Sequence, residues 1–246
     1  MRQRNQPLMM PDPSRLQDAA RLRTPLIGVY EAPDPALFAP CVRPTPGTRT
    51  CIFAFYENWK QGQFLHLTAE QYGCGGAGRW LFGLATRPRA EFVDFLVREE
   101  GLRATAELME QWLDASRPFQ PEYGNLFIGP LRAEAYQCLK TVSFVVNPDQ
   151  LSLLIIGASY HAAPEDPPPV IAPFGSGCGQ LLALFPDLSR PQAIVGATDI
   201  AMRQHLPPEA LFFTVTKPMF ERLCALDERS FLFKPFWQRL LKARGC

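Results

Sequence analysis

Proline constrains this chain more than any other residue type. A proline has no backbone N–H and a fixed φ, so it breaks helix interiors and sheet ladders and is welcome at helix starts and in loops. The sequence holds 25 prolines, many of them clustered in "PDPALFAPCVRPTPGTRT" and "HAAPEDPPPVIAPFGSG". Each cluster must be a long, stiff crossing between regular elements. The apolar stretches between them are short, so the chain is expected to alternate brief helices and strands.

Those stretches can be read by period and by their end signals. "PLIGVYEA", "QFLHL", "NLFIGPL", "TVSFVV", "QAIVG" and "ALFFTV" read as strands. "SRLQDAARLR", "RTCIFAFYENWKQG" up to Gly62, and "KPMFERLCAL" read as helices. Phe92, Phe95 and Leu96 mark the face of another helix, and Leu102, Ala106, Met109 and Leu113 that of the next. Asn147 followed by Pro148 caps a helix whose stripe is Leu151, Leu154, Ile155 and Ala158. A last helix carries Phe233, Phe236, Trp237, Leu240 and Leu241 on one face. Cys178 is expected to open a helix of its own. The alternation predicts an α/β (mixed α+β) fold, a single mixed sheet with helices packed on it and proline-rich crossovers. Residues 1–24 read as a polar lead-in and 25–246 as a single globular domain.

With 246 residues, 47% hydrophobic and 20% charged, the composition is that of a soluble globular protein. A formal net charge of +1 gives no reason to expect nucleic acid. No run is long enough to cross a membrane, and "MRQRNQPLMMPDPS" lacks the apolar core of a signal peptide. Seven cysteines, an odd number, argue against a disulfide framework, so reduced thiols and a cytoplasmic location are expected.

The densest chemical signal is "YGCGGAGRWLFGL". Gly73, Gly75 and Gly78 fit the letters of the dinucleotide motif, but no strand directly precedes them and the region beyond has helical periodicity. A Walker A reading fails because no Lys-Ser or Lys-Thr follows. What remains is a turn whose bare backbone donors favour an anion or a thiolate on Cys74. The plainer alternative is a close-packing turn with a small buried thiol. "FGSGCGQLLALF" repeats the arrangement around Cys178 and reads as a pseudo-repeat of it. In "GATDIAMRQHLP", Asp199 and Arg203 fall four apart. They form either a surface ion pair or an anion site beyond the strand "QAIVG", with Arg79 a second candidate cation. His66 lies in a strand and is within reach of Cys74; His161 and His205 carry no ligand spacing.

Taken in order, "CIFAFYENWKQGQFLHLTAEQYGCGGAGRWLFGL", "VVNPDQLSLLI", "FGSGCGQLLALF" and "GATDIAMRQHLPPEALFFTV" resemble the ArCR family, domain of unknown function 169, from Pro25 to Leu226. Cys51, Cys74 and Cys178 match its recurring cysteines. Where many relatives read Cys-Pro-Gly, this chain has Cys74-Gly75-Gly76. The resemblance implies metal or iron–sulfur chemistry, with those three cysteines as ligands to an iron–sulfur cluster or to zinc. A second function class stays open beside it. That is a binding or sensor module for an anionic small molecule held by Gly73, Gly75, Gly76, Arg79, Asp199 and Arg203. A third is a thiol enzyme with Cys74 as nucleophile.

Overall fold

A computed structural model describes residues 9–74, 76–84, 88–115 and 119–245. Its centre is one eight-stranded mixed sheet. The strands in chain order are β1 (Ile27–Glu31), β2 (Cys41–Val42), β3 (Phe64–Leu67), β4 (Leu126–Pro130), β5 (Leu139–Val146), β6 (Val170–Ile171), β7 (Ala193–Gly196) and β8 (Leu211–Thr216). They lie side by side in the order β2-β3-β4-β1-β5-β8-β7-β6. The α/β fold with a single mixed sheet is therefore the one the sequence predicts.

The order has a symmetry that the sequence did not announce. Outward from the centre, β1-β4-β3-β2 on one side mirrors β5-β8-β7-β6 on the other. In each half the inner pairings are antiparallel and the edge pair is parallel. The central pair β1/β5 is antiparallel. The two halves are thus related by an approximate twofold axis perpendicular to the sheet, and equivalent loops fall on the same face.

Side-chain alternation along the strands builds two cores. On one face Val142, Phe144, Phe213 and Val215 share a core with helices α1 (Ser14–Ala20), α6 (Pro148–Ser159), α7 (Lys217–Cys224) and α8 (Pro235–Ala243), and Phe64 and Phe127 extend it by packing on Phe38. On the other, Leu65, Leu67, Ile27, Val29, Ile128 and Phe212 meet a layer of short elements. These include α2 (Tyr56–Lys60), α3 (Ala77–Leu81), α4 (Arg89–Arg98) and α5 (Ala106–Ala115). The prolines act as the sequence requires, standing at the first turn of α6, α7 and α8. Asn147 caps α6 with a full capping box, its side chain accepting from the Gln150 N–H.

Within the 1–24 segment, of which residues 1–8 lie outside the described ones, α1 buries Leu16 and Ala20 against α6 and α7. Several expectations need correction. No α-helix starts at Cys178; a single 3₁₀ turn, Gly179–Leu181, follows it. "CIFAFYENWK" is a 3₁₀ turn, Ile52–Phe55, running into α2. In α8, Trp237 and Leu241 are buried, whereas Phe236 is 64% exposed and stacks on Phe231.

Candidate functional site

The twofold arrangement explains how distant cysteines meet. Cys51 lies in the β2–β3 loop and Cys178 in the β6–β7 loop, and each immediately precedes a short 3₁₀ turn. These loops are topological equivalents, so the partner of Cys178 in the repeat is Cys51, not Cys74 as the glycine-rich strings suggest. The Cys51 turn crosses to a strand of the other half, and the Cys178 turn reaches the central strand of its own. Phe53 packs edge-on against Phe212 of β8, and Leu181 O accepts from Thr141 Oγ1 of β5 at 2.6 Å. Cys74 arrives from the β3–β4 connection, just before α3.

The loops are fixed by specific ties. Asp199 Oδ2 accepts from the Gly177 N–H and its Oδ1 from the Ala201 N–H, both at 3.0 Å, which fastens the Cys178 loop to the 3₁₀ helix Ile200–His205. Gln180, almost wholly buried, donates to Thr198 Oγ1 at 2.6 Å. Arg79 donates to the carbonyls of Leu84 and Ala69 and so closes the glycine turn onto α3. Arg203 donates to the carbonyls of Ala197, Pro207, Pro208 and Ala210.

The outcome is one pocket of about 660 Å³, within the size range of small-molecule sites. Cys51, Cys74 and Cys178 all line it, together with Glu100 and Asp199. The Cys178 thiol is the common neighbour, facing the sulfurs of both Cys51 and Cys74 and receiving the Tyr72 hydroxyl at 3.4 Å. The other described cysteines, Cys41, Cys138 and Cys224, pack against the opposite core. Cys246 lies outside the described residues.

The thiols differ in acidity because of this placement. Hydrogen bonding from Cys178 lowers the Cys74 pKa to about 6; burial opposes this, and the Tyr72 hydroxyl and the Gly76 and Arg79 backbone N–H groups assist. Cys51 is lowered as well, again chiefly by Cys178. Cys178 is driven up, first by its roles as donor to Cys51 and Cys74 and then by burial. Glu100 is exposed as a residue, yet its carboxyl turns to the pocket wall, where Oε1 would stand 3.2 Å from a Cβ placed on Gly76. Burial, then the charges of Asp199 and Cys74, hold its pKa above the ordinary carboxylate range.

A pH-dependent reactivity follows. Thiolate alkylates and thiol does not, so Cys74 should reach its full iodoacetamide rate by about pH 7, with a midpoint near 6. Cys224, pushed up to about 12 by burial, should stay nearly inert over the same range. Peptide mass spectrometry after timed alkylation reads both, and a Cys74 rate still climbing at pH 9 would refute the assignment.

Of the residues the sequence singled out, Cys51, Cys74, Cys178, Gly76 and Asp199 come together at the pocket. Gly73 instead backs onto the Thr48 carbonyl, and Gly75 lies outside the described residues. Arg79 and Arg203 are committed to main-chain carbonyls, and no ion pair joins Asp199 to Arg203, because the segment is a 3₁₀ helix with Asp199 at its N-cap. His66 points to the other face of the sheet, alternating with Leu65 and Leu67. It stacks on Phe127 and bonds Asn125 through Nε2 at 2.9 Å, so it does not approach Cys74. Tyr72 and Glu100 escaped the sequence reading. Tyr72 stands in the "YGCGG" string itself, whereas Glu100 carries no local signal.

The donor set suits a thiophilic metal in kind: three thiols from three separate loops, two of them acidified. Among the described residues, however, no three His, Cys, Asp or Glu side chains already surround a metal position. The sulfurs face one another as hydrogen-bonding thiols, and loss of the Cys178 proton is the condition for all three to act as ligands.

No helix among the described residues is long and apolar enough to cross a membrane. No curated protein and no solved structure matches the chain. The family model described as uncharacterised ArCR matches residues 15–225, and the chain belongs to that family, domain of unknown function 169.

Proposed function

We propose that the pocket is a binding site for a thiophilic metal centre, an iron–sulfur cluster or zinc, held by Cys51, Cys74 and Cys178 in a cytoplasmic, redox-active protein. One observation carries this reading. Three cysteines 23 and 104 positions apart converge on a single pocket, while the other described cysteines lie across the sheet. Chance burial of unrelated thiols gives no reason for such sorting. Three thiolates leave one coordination position of a metal open toward the pocket, where a small-molecule ligand would bind. The bound group would supply electron transfer or Lewis acidity there. The chain's own part is to hold the sulfurs, keep them acidic and shape the cavity.

The test is iron, zinc and acid-labile sulfide analysis of untagged protein purified without oxygen. Stoichiometric metal is expected, and it should vanish in each of Cys51→Ser, Cys74→Ser and Cys178→Ser but persist in Cys41→Ser. A metal-free wild type with free pocket thiols would sink the proposal.

A second reading is favoured by the acidity of Cys74 without any metal. Here the pocket is a thiolate site for a small molecule, with Cys74 as nucleophile and Glu100 as the neighbouring acid. An anion-binding sensor draws less support, since the guanidinium groups of Arg79 and Arg203 hold the loops together. Ligand-induced thermal stabilisation in metal-free protein, lost in Cys74→Ser, distinguishes the thiolate site from the metal site.

A further inference from the structure

Cys178 is a buried thiol placed under two thiols that reach the pocket. Its relative exposure is 5%, whereas Cys51 and Cys74 are partly exposed, so a reagent entering the pocket meets one of the outer sulfurs first. Cys178 then lies beneath, facing both. Cys74 and Cys178 are the two of the three that share one rigid support, the glycine edge of α3. A Cβ on Gly76 would lie 3.9 Å from Cys74 Sγ, and one on Gly78 would lie 2.9 Å from Cys178 Sγ. No side chain from either glycine stands between the two sulfurs. An outer sulfur for attack with an inner one to resolve is the arrangement that thiol–disulfide exchange requires.

We infer that the metal-free chain undergoes thiol–disulfide exchange with small organic disulfides in this pocket, with Cys74 attacking and Cys178 resolving. Cys74 Sγ, as thiolate, attacks one sulfur of the disulfide. A mixed disulfide forms, the disulfide's S–S bond breaks, and the first small thiolate leaves and takes a proton from water. Cys178 then gives its proton to water and its sulfur attacks Cys74 Sγ. The Cys74–Cys178 bond forms, the mixed disulfide breaks, and the second thiolate leaves and is protonated. Across these steps the protein gives up two electrons and the Cys178 proton; the two small thiolates take up those electrons and two protons from water, one of them the equivalent of the proton Cys74 had already released on ionising. This inference does not rest on the metal reading, since it concerns the chain with no metal bound.

The probe is hydroxyethyl disulfide, which is small and uncharged. Full-length protein is reduced, treated with a chelator, desalted, exposed to the reagent, blocked with N-ethylmaleimide and mapped without reduction. Trypsin places Cys51, Cys74 and Cys178 on separate peptides. The expected product links the Cys74 and Cys178 peptides, with two small thiols released per chain. Cys178→Ser should stop at a mixed disulfide on Cys74 with one thiol released, and Cys51→Ser should still form the link. The wild-type map decides the matter even if a variant folds poorly. A Cys51–Cys178 or Cys51–Cys74 link, stable adducts without any link, or pocket thiols left unmodified would each overturn the inference.

Discussion

Arg203→Met should lower the stability of the protein by roughly 2–4 kcal/mol, read as a shift of the urea midpoint at unchanged m-value. Methionine keeps the aliphatic stem and removes only the donors. The guanidinium bonds the carbonyls of Ala197 and Ala210 through Nη1 and those of Pro207 and Pro208 through Nη2. The Pro207 carbonyl also accepts from the Ala210 N–H, but neither proline offers an N–H of its own, so this stretch leans in part on a side chain for its hydrogen bonds. Ala197 also sits at φ +62°, a strained conformation for a residue with a Cβ, and persists because its surroundings hold it. Arg203→Lys, with a single ammonium in place of a planar fork, should recover only part of the loss. A Met variant within about 0.5 kcal/mol of wild type, the range of ordinary surface changes, would return Arg203 to the role of a ligand cation.

Arg203 shows where sequence reading stops. An Asp and an Arg four apart suggest an ion pair only if the segment is α-helical. Here the segment is a 3₁₀ helix that ends before prolines 207 and 208, and the local backbone takes up both side chains. Glu100 was illegible for a different reason, because its meaning comes from Gly76 and Cys74 across the pocket. Elements whose signals are local were readable. The Asn147–Pro148 cap, the alternating strands and the proline-started α7 all follow from neighbours in the chain. The cysteine set was legible as a list through its family resemblance, but its geometry was not. Which thiol lies in the middle depends on a twofold relation between strand orders, and strand order is a property of long-range pairing. The glycine strings even pointed to the wrong equivalence, since Cys74 shares its glycines with Cys178 while Cys51 shares its place in the topology.

Gly78→Ala should destabilise the protein by roughly 1–3 kcal/mol, although alanine is ordinarily the better residue in a helix by about 1 kcal/mol. The added Cβ would stand 2.6 Å from Cys178 Cβ, 2.7 Å from the Tyr72 hydroxyl and 2.9 Å from Cys178 Sγ. Cys178 and Tyr72 are both buried, so neither has free space to move into. The same displacement weakens the hydrogen bonding that acidifies Cys74, so its alkylation midpoint should rise from about 6 toward that of an ordinary thiol. Gly76→Ala is the control. Gly76 has an ordinary negative φ of −90°, and its new Cβ would press only on the tip of Glu100, at 3.2 Å, which can swing away, while touching Cys74 Sγ at an ordinary contact distance of 3.9 Å. It should leave stability within about 0.5 kcal/mol and the Cys74 midpoint unmoved. The contrast separates a sulfur cluster imposed by packing from one held only by its own hydrogen bonds. If Gly78→Ala proves as mild as Gly76→Ala, the helix edge does not clamp Cys178, and the alignment of the three thiols must come from the loops alone.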